Sequence, residues 1–323
     1  MANKSHFNKG HISLNKMKKE GQIHSAHIQG LSINKSFHGI FIEDAVEFLK
    51  KLPDSSVQLI LIDPPYNIDL ANWDTFENYL DWAKKWLDQI FRVLSDTGNC
   101  VIFGGFQYQD LKKGDLLEVL HYTRHNTPLR FVNLVIWYYK NGMSAHRFFA
   151  NRHEEAVWLS KTSKYYFDLD AVRVPFDEIT KELYKKDKRL NPESVEKGKN
   201  PTNVWEIGRL NGNSNERVGH PTQKPLELIR RFVKGLSYEG SLVLDFFAGS
   251  GTAGRICIEE NRHSIQVDID PQILSYFKTH RDKMIGEFKE HEIIVNPNLS
   301  SFLKLLRPDG NEAAAEKKIA VAI

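Results

Sequence analysis

The chain has 323 residues, 41% hydrophobic and 26% charged, with a formal net charge of +3, enough apolar material for a large core and a length suited to about one to two domains. Its two cysteines, Cys100 and Cys257, sit in apolar surroundings outside any Cys-x-x-Cys pair, which argues against a disulfide framework or a zinc site and for a reduced, cytoplasmic setting with no metal. No apolar run is long enough to span a bilayer, and the lysine-rich start lacks an apolar signal core, so neither secretion nor membrane insertion is expected.

In chain order, residues 1–36 carry Lys4, Lys9, Lys16, Lys18, Lys19 and Lys35 against one acid, Glu20, and predict a flexible basic arm. Apolar runs at 40–42 and 59–62 predict strands, and the second ends at Asp63-Pro64-Pro65-Tyr66. That arrangement suits chemistry on the exocyclic amine of a flipped-out base. Such an amine is a poor nucleophile because its lone pair is delocalised into the ring. Asp63 can accept one of its N–H groups and the Pro64 carbonyl the other, since the proline ring fixes φ and so the direction of its carbonyl. Tyr66 can stack on the base and restore part of the stacking lost on extrusion. The same four residues could also simply close a strand with a Pro-Pro turn.

Residues 76–93 place Tyr79, Trp82, Ala83, Trp86, Leu87 and Ile90 at helical spacing, so both tryptophans are expected in the core. Strands are predicted at 100–103, 132–138 and 156–159. His153-Glu154-Glu155 lacks metal-ligand spacing and is expected to line a base pocket or brace a sheet edge. The polar stretch 162–219 holds Lys185, Lys186, Lys188, Arg189, Lys197 and Lys199, then Asn203, Arg209, Asn211, Asn213 and Arg217. Lysine and arginine can position phosphates, and asparagine and arginine can read base edges. Pro225 opens a further helix to 236. An apolar run from Ser241 then meets Asp245-Phe246-Phe247-Ala248-Gly249-Ser250-Gly251-Thr252, a strand, tight turn and helix in which glycines let backbone N–H groups approach a ligand. A following strand at 263–267 ends at Asp268, where a carboxylate can take both ribose hydroxyls of a nucleoside. No phosphate-cradling Lys-Ser/Thr loop is present, so a cofactor without phosphates fits better than ATP. Strand and helix alternate, which predicts an α/β fold with a mostly parallel sheet and helices on both faces. A frayed tail is expected over 308–318 after a last helix.

Asp-Pro-Pro-Tyr first and Phe247-Ala-Gly-Ser-Gly251 later is the order seen in the β-class S-adenosylmethionine-dependent amino-DNA methyltransferases, which the chain resembles from about residue 37 to 268. Segments at 141–145, 147–155, 188–197, 200–205, 209–214 and 217–225 are similar to an adenine-N6 member that recognises GAATTC. The resemblance implies a Rossmann-like methyltransferase sheet divided as a basic arm (1–36), a catalytic half (37–161), an inserted target-recognition region (162–219), a cofactor-binding half (220–290) and a C-terminal extension and tail (291–323). It implies Asp63, Pro64, Pro65 and Tyr66 as catalytic residues and S-adenosyl-L-methionine as cofactor. Asp44 would lie near the cofactor adenine, Asp268 at the ribose, Thr222 and Lys224 at the methionine carboxylate, and Asp63 beside Asp245 through Thr252 along the rest. The chain departs from the family with Asp268 where Glu is frequent and Gln266 where Gly is frequent. Double-stranded DNA is the implied partner. A homodimer and a cognate restriction endonuclease, acting in the same system without being a required subunit, are compatible with it. Cytosine-N4 methylation, or a DNA-binding protein that keeps the fold without turnover, stand as alternatives. Glutamine and RNA methyltransferases fit the motif order less well.

Overall fold

The computed structural model describes residues 33–67, 74–106, 115–142, 146 and 149–306. The basic arm, apart from its last few residues, and the expected tail at 308–318 lie outside the described residues. Among the described residues no helix is long and apolar enough to cross a membrane.

The elements run β1 (Lys35–Ile42), α1 (Ala45–Lys51), β2 (Val57–Ile62), α2 (Tyr79–Val93), β3 (Leu94–Gly104), α3 (Leu116–Asn126), β4 (Arg130–Tyr138) and β5 (His153–Ser160). A 3-10 turn (Asp170–Val172) follows, then α4 (Glu178–Lys185), α5 (Pro192–Lys197), β6 (Val204–Glu206), α6 (Leu226–Leu236), β7 (Leu242–Asp245), α7 (Thr252–Glu259), β8 (His263–Asp268), α8 (Ile273–Asp282), β9 (Glu290–Val295) and α9 (Leu299–Leu305). The strands form one nine-stranded sheet in the order β6-β4-β5-β3-β2-β7-β8-β1-β9. All neighbouring pairs are parallel except those of β5, which is antiparallel to both β3 and β4.

Period-two alternation along the central strands divides the core into two layers. Ile60, Ile62, Cys100, Ile102 and Leu244 face α1, α2 and α9, where Leu49, Trp86, Ile90 and Phe302 are buried. Leu59, Leu61, Val101, Phe103 and Val243 face α6 and α7, with Ile229, Phe232, Val233, Ile256 and Cys257. Both cysteines are free and buried, consistent with packing rather than chemistry. Helices therefore cover both faces, as the strand-helix alternation predicts.

Local chemistry adjusts the predicted bounds. α2 starts at Tyr79 rather than 76 because Asn78 caps it, its side chain accepting the Asp81 N–H, while Phe76 is held outside by a two-way bond with Asn67. β1 takes in Lys35 and Ser36, which pair with Glu290 and His291, so the arm ends before residue 35. The segment after residue 290 contributes β9 to the sheet and buries Phe302 of α9 in the main core. The polar stretch 162–219 likewise contributes a strand, β6, beside β4.

Candidate active site

β2 and β7 lie side by side and parallel. From that pair the chain runs outward to β3 on one side and β8 on the other, which opens a crevice beyond the carboxyl ends of the strands. A cavity of about 300 Å³ occupies that crevice. Of the predicted site residues, Asp44, Asp63, Pro64, Pro65, Tyr66, Thr222, Lys224, Asp245, Phe246, Phe247, Ala248, Gly249, Ser250, Thr252 and Asp268 all line it, and Gly251 does not. Gly251 instead caps α7 at φ +78°, a left-handed conformation that glycine adopts without strain.

β2 delivers Asp63 into the cavity. Its Oδ1 accepts the Tyr66 hydroxyl at 2.5 Å and its Oδ2 accepts the Lys224 ammonium at 2.6 Å. Lys224 also meets Glu154 at 3.2 Å and lies 5.7 Å from the Tyr66 ring centroid and 5.6 Å from that of Phe103. The ammonium expected at the carboxylate of a ligand is thus also paired within the protein. A buried ammonium needs counter-charge, and Asp63 and Glu154 supply it from within the protein. Burial alone would lower the Lys224 pKa, but the two carboxylates outweigh it and hold the ammonium above its ordinary value. Tyr66 likewise spends its hydroxyl on Asp63, which fixes the ring that was expected to stack on a base.

The opposite wall comes from β7, β8 and the loop between β7 and α7. Asp268 ties this wall together: Oδ2 accepts the Gly249 N–H at 2.6 Å and Oδ1 the Asp270 N–H at 2.9 Å. Burial raises its pKa, and these N–H groups oppose the rise. Asp245 is raised well above the ordinary carboxylate range, first by burial and then by the neighbouring Asp268 and Asp63 charges, with only the Phe247 N–H opposing. Gly249 sits at φ +48°, and a Cβ there would stand 3.0 Å from His220 Nε2, so backbone and imidazole approach as closely as glycine permits. Burial lowers the His220 pKa, and Thr222 faces the same ring through its N–H and hydroxyl. Asp44 caps α1, its Oδ1 accepting the Val46 and Glu47 N–H groups, while still lining the cavity.

Several lining residues escaped the sequence reading. Trp82, expected in the core, stacks on Phe76 with ring centroids 4.1 Å apart and lines the cavity with it. Its helical stripe is shared with the fully buried Trp86, so spacing alone could not separate them. Asp74 is buried and accepts the Asn67 N–H at 2.7 Å. Asp270, Ile273 and Tyr276 also reach the wall. Among the described residues the lining thus holds six aspartates, Asp44, Asp63, Asp74, Asp245, Asp268 and Asp270, against one lysine, Lys224. Such a wall favours a cationic ligand and repels phosphates.

A doubly wound, mostly parallel sheet with a glycine-turned, carboxylate-lined crevice at its switch point defines a nucleoside-binding α/β enzyme of methyltransferase type. Residues 57–279 match the family model described as a DNA methylase, of the N6/N4 type, and the chain belongs to that family. It is 31% identical over 255 residues to the type II methyltransferase M.HpaI of Haemophilus parainfluenzae, covering 77% of this chain and 76% of that one. It is 31% identical over 287 residues to M.BglII of Bacillus subtilis, covering 84% and 79%, and 29% identical over 242 residues to the DNA adenine methyltransferase YhdJ of Escherichia coli K12, covering 72% and 78%. In fold it is similar to the cytosine-N4-specific PvuII DNA methyltransferase, with a TM-score of 0.58 at 19% identity over 86% of this chain and 95% of that one. A Thermus thermophilus protein solved with S-adenosyl-L-methionine gives a TM-score of 0.54 at 20% identity over 81% and 99%.

Proposed function

We propose that this protein is a site-specific DNA methyltransferase acting on adenine N6 within GAATTC, by base flipping and direct displacement. The observation that carries the reading is Asp63-Pro64-Pro65-Tyr66, set by β2 at the mouth of an acid-lined cavity whose other wall is the β7–α7 turn. Asp rather than Ser at the first position supports adenine over cytosine. Similarity of the segments at 141–155 and 188–225 to the RsrI adenine methyltransferase supports both the β-class assignment and the GAATTC target.

The donor set suits S-adenosyl-L-methionine, which carries a sulfonium and an ammonium against one carboxylate and has no phosphate. Six lining aspartates meet that charge, and the backbone at Gly249 leaves room that a Cβ would fill. The residues that would hold it are Asp44, Asp63, Thr222, Lys224, Asp245 through Ser250, Thr252 and Asp268, with Gly251 shaping the turn between them and Lys224 acting from within its ion pairs. When bound, the cofactor supplies a methyl group activated by positive sulfur, so no metal is needed.

The protein's own work is to orient the amine. Asp63 and the Pro64 carbonyl accept its two N–H groups, which turns its lone pair toward the methyl. Each Asp63 oxygen can accept more than one hydrogen bond, so the bonds to Tyr66 and Lys224 leave capacity for the base. The amine becomes acidic only after attack, once nitrogen carries the new bond. Asp63 therefore takes the proton late rather than removing it first. Holding both reactants in near-attack geometry supplies much of the acceleration. Residues 37–161 and 220–290 are the two halves of the catalytic domain in this reading, and 162–219 reads the target. The setting is a cytoplasmic restriction-modification system with duplex DNA as substrate, a cognate endonuclease acting on the same site, and a homodimer as a compatible state.

The test is methyl transfer from labelled S-adenosyl-L-methionine to unmethylated DNA, with nucleoside analysis and long-read mapping. N6-methyladenine confined to GAATTC is the expected result. N6-methyladenine at other sites would discard the target, N4-methylcytosine would overturn the base, and bound cofactor without transfer would favour a protein that binds DNA without turnover.

A further inference from the structure

Lys224 places a positive charge 2.6 Å from the carboxylate that would face the amine and the transferring methyl. Taken alone, that pair cancels the charge of Asp63 at the point where a cationic donor and a developing cation on nitrogen would need it. Glu154 changes the balance. Its Oε2 lies 3.2 Å from the same ammonium, so two carboxylates share one lysine and the group keeps one negative charge.

The fold explains how Glu154 reaches this place. β5 is antiparallel to β3 and β4, so its first residues, not its last, stand at the carboxyl edge of the sheet, with Glu155 paired to Gly104. Successive side chains on a strand point to opposite faces. Ala156 and Trp158 belong to the layer of Phe103 and α6, so Glu154 shares the face from which Lys224 enters just before α6. Glu155 takes the other face, where the His153 imidazole contacts it at 3.0 Å. The aromatic rings of Tyr66 and Phe103 flank the ammonium and limit where it can go.

We propose that Glu154 is a positioning residue for the methyl transfer: it holds Lys224 against Asp63 and offsets the lysine charge, so that the Asp63 end of the cavity stays negative and prefers a cationic sulfonium over a neutral thioether. This rests on the reading that Asp63 stands at the reacting centre. Glu154 touches neither reactant and acts through Lys224.

The charge can be read without turnover. Calorimetric titration of the full chain with S-adenosyl-L-methionine and with S-adenosyl-L-homocysteine compares two ligands that differ by the methyl and its positive charge at sulfur. In Glu154→Gln the preference for the sulfonium falls by about tenfold while the thioether Kd stays within about twofold, the size of effect one partly screened unit charge produces. Glu154→Asp keeps the carboxylate and keeps the preference. Equal weakening of both ligands, or no change in either, in Glu154→Gln overturns the proposal. So does loss of the preference in Glu154→Asp, which decides alone if the glutamine variant does not fold. A methylation assay of Asp63→Ala separates the two ideas. Undiminished turnover there removes Asp63 from the centre whatever the calorimetry says. An inactive Asp63→Ala beside an unaltered Glu154→Gln leaves the catalytic reading standing and removes only the role of Glu154.

Discussion

Asp63 is bound on both oxygens, by Tyr66 and by Lys224. The geometry makes its removal a test of chemistry more than of folding, since the side chain is partly exposed at the cavity mouth. Asp63→Ala should lower methylation by about 10²–10⁴-fold, the range for a positioned proton acceptor, while S-adenosyl-L-methionine still binds; single-turnover assays beside equilibrium titration measure both. Gly249→Ala should act the other way round. Its φ of +48° and the nearby His220 ring penalise a methyl by about 1–2 kcal/mol, so cofactor affinity should drop about tenfold with the protein otherwise folded. That these two runs would meet at one cavity was legible in the sequence, because each follows an apolar strand run that ends at the same edge of the sheet. The partners of Lys224 were not, because Asp63 is 161 positions away and Glu154 becomes its neighbour only through the reversed direction of β5. Trp82 packs against the core as its spacing predicts, and its place in the cavity lining was hidden because a helical stripe shows which face is apolar, not which residue overhangs a cavity.

At the scale of elements, β1 and β8 are joined by more than their ladder. His38 bridges Ser36 and Ser264, both at 2.8 Å, and His263 Nδ1 accepts the Phe37 N–H at 3.0 Å. A protonated His263 would turn that acceptor into a donor facing another donor. Burial lowers the pKa of His38 well below 6.5, that of His263 to about 4 and that of His280 to about 3. Because the folded pKa values lie below the unfolded value of 6.5, the unfolded chain binds more protons as the medium is acidified. Stability should therefore be full above about pH 6.5 and fall from there toward pH 4, with each histidine adding at most about 1.4 kcal/mol per pH unit. Denaturant midpoints measured from pH 7 to pH 4 check this, and His263→Asn should flatten the slope. α9 is tied into the same region. Phe302 is fully buried against Phe41 and Gly39, so Phe302→Ala should cost about 3–5 kcal/mol, read from the same midpoints. The strand-helix alternation of the middle of the chain was plain from its apolar runs. β9 was not, because its burial pattern is half exposed and its sequence, Glu290–Val295, carries polar residues on one side.

Across the whole molecule, the polar region expected to meet DNA spends several of its cations on its own carboxylates. Lys181 and Lys185 both contact Glu196, Lys197 contacts Asp170 and Glu193, and Arg189 forks onto Asp187. Among the described residues Lys186 and Lys188 form no such ion pair. If the region meets a duplex, those two should be among its phosphate contacts, with Lys199, Arg209 and Arg217, which likewise have no ion pair among the described residues. Lys186→Gln and Lys188→Gln should each reduce the salt slope of DNA binding by about one, whereas Lys185→Gln should leave it unchanged; fluorescence anisotropy across a salt series decides. Counting charges along the chain could not show this, because the sequence gives cations without their partners.

β1 is flanked on both sides by strands from the far end of the chain, β8 and β9, and His38 meets Ser264 across 226 positions. On a ribosome adding about 5–20 residues per second, that separation is a wait of roughly ten to forty-five seconds. During that interval the first strand made has both edges unpaired, and the wall that carries Asp245 and Asp268 does not yet exist. The two walls of the cavity are therefore made in separate stages, Asp63 and Tyr66 early and the β7–α7 and β8 wall only about 180 residues later, and the exposed edge that waits longest is a hydrophobic one.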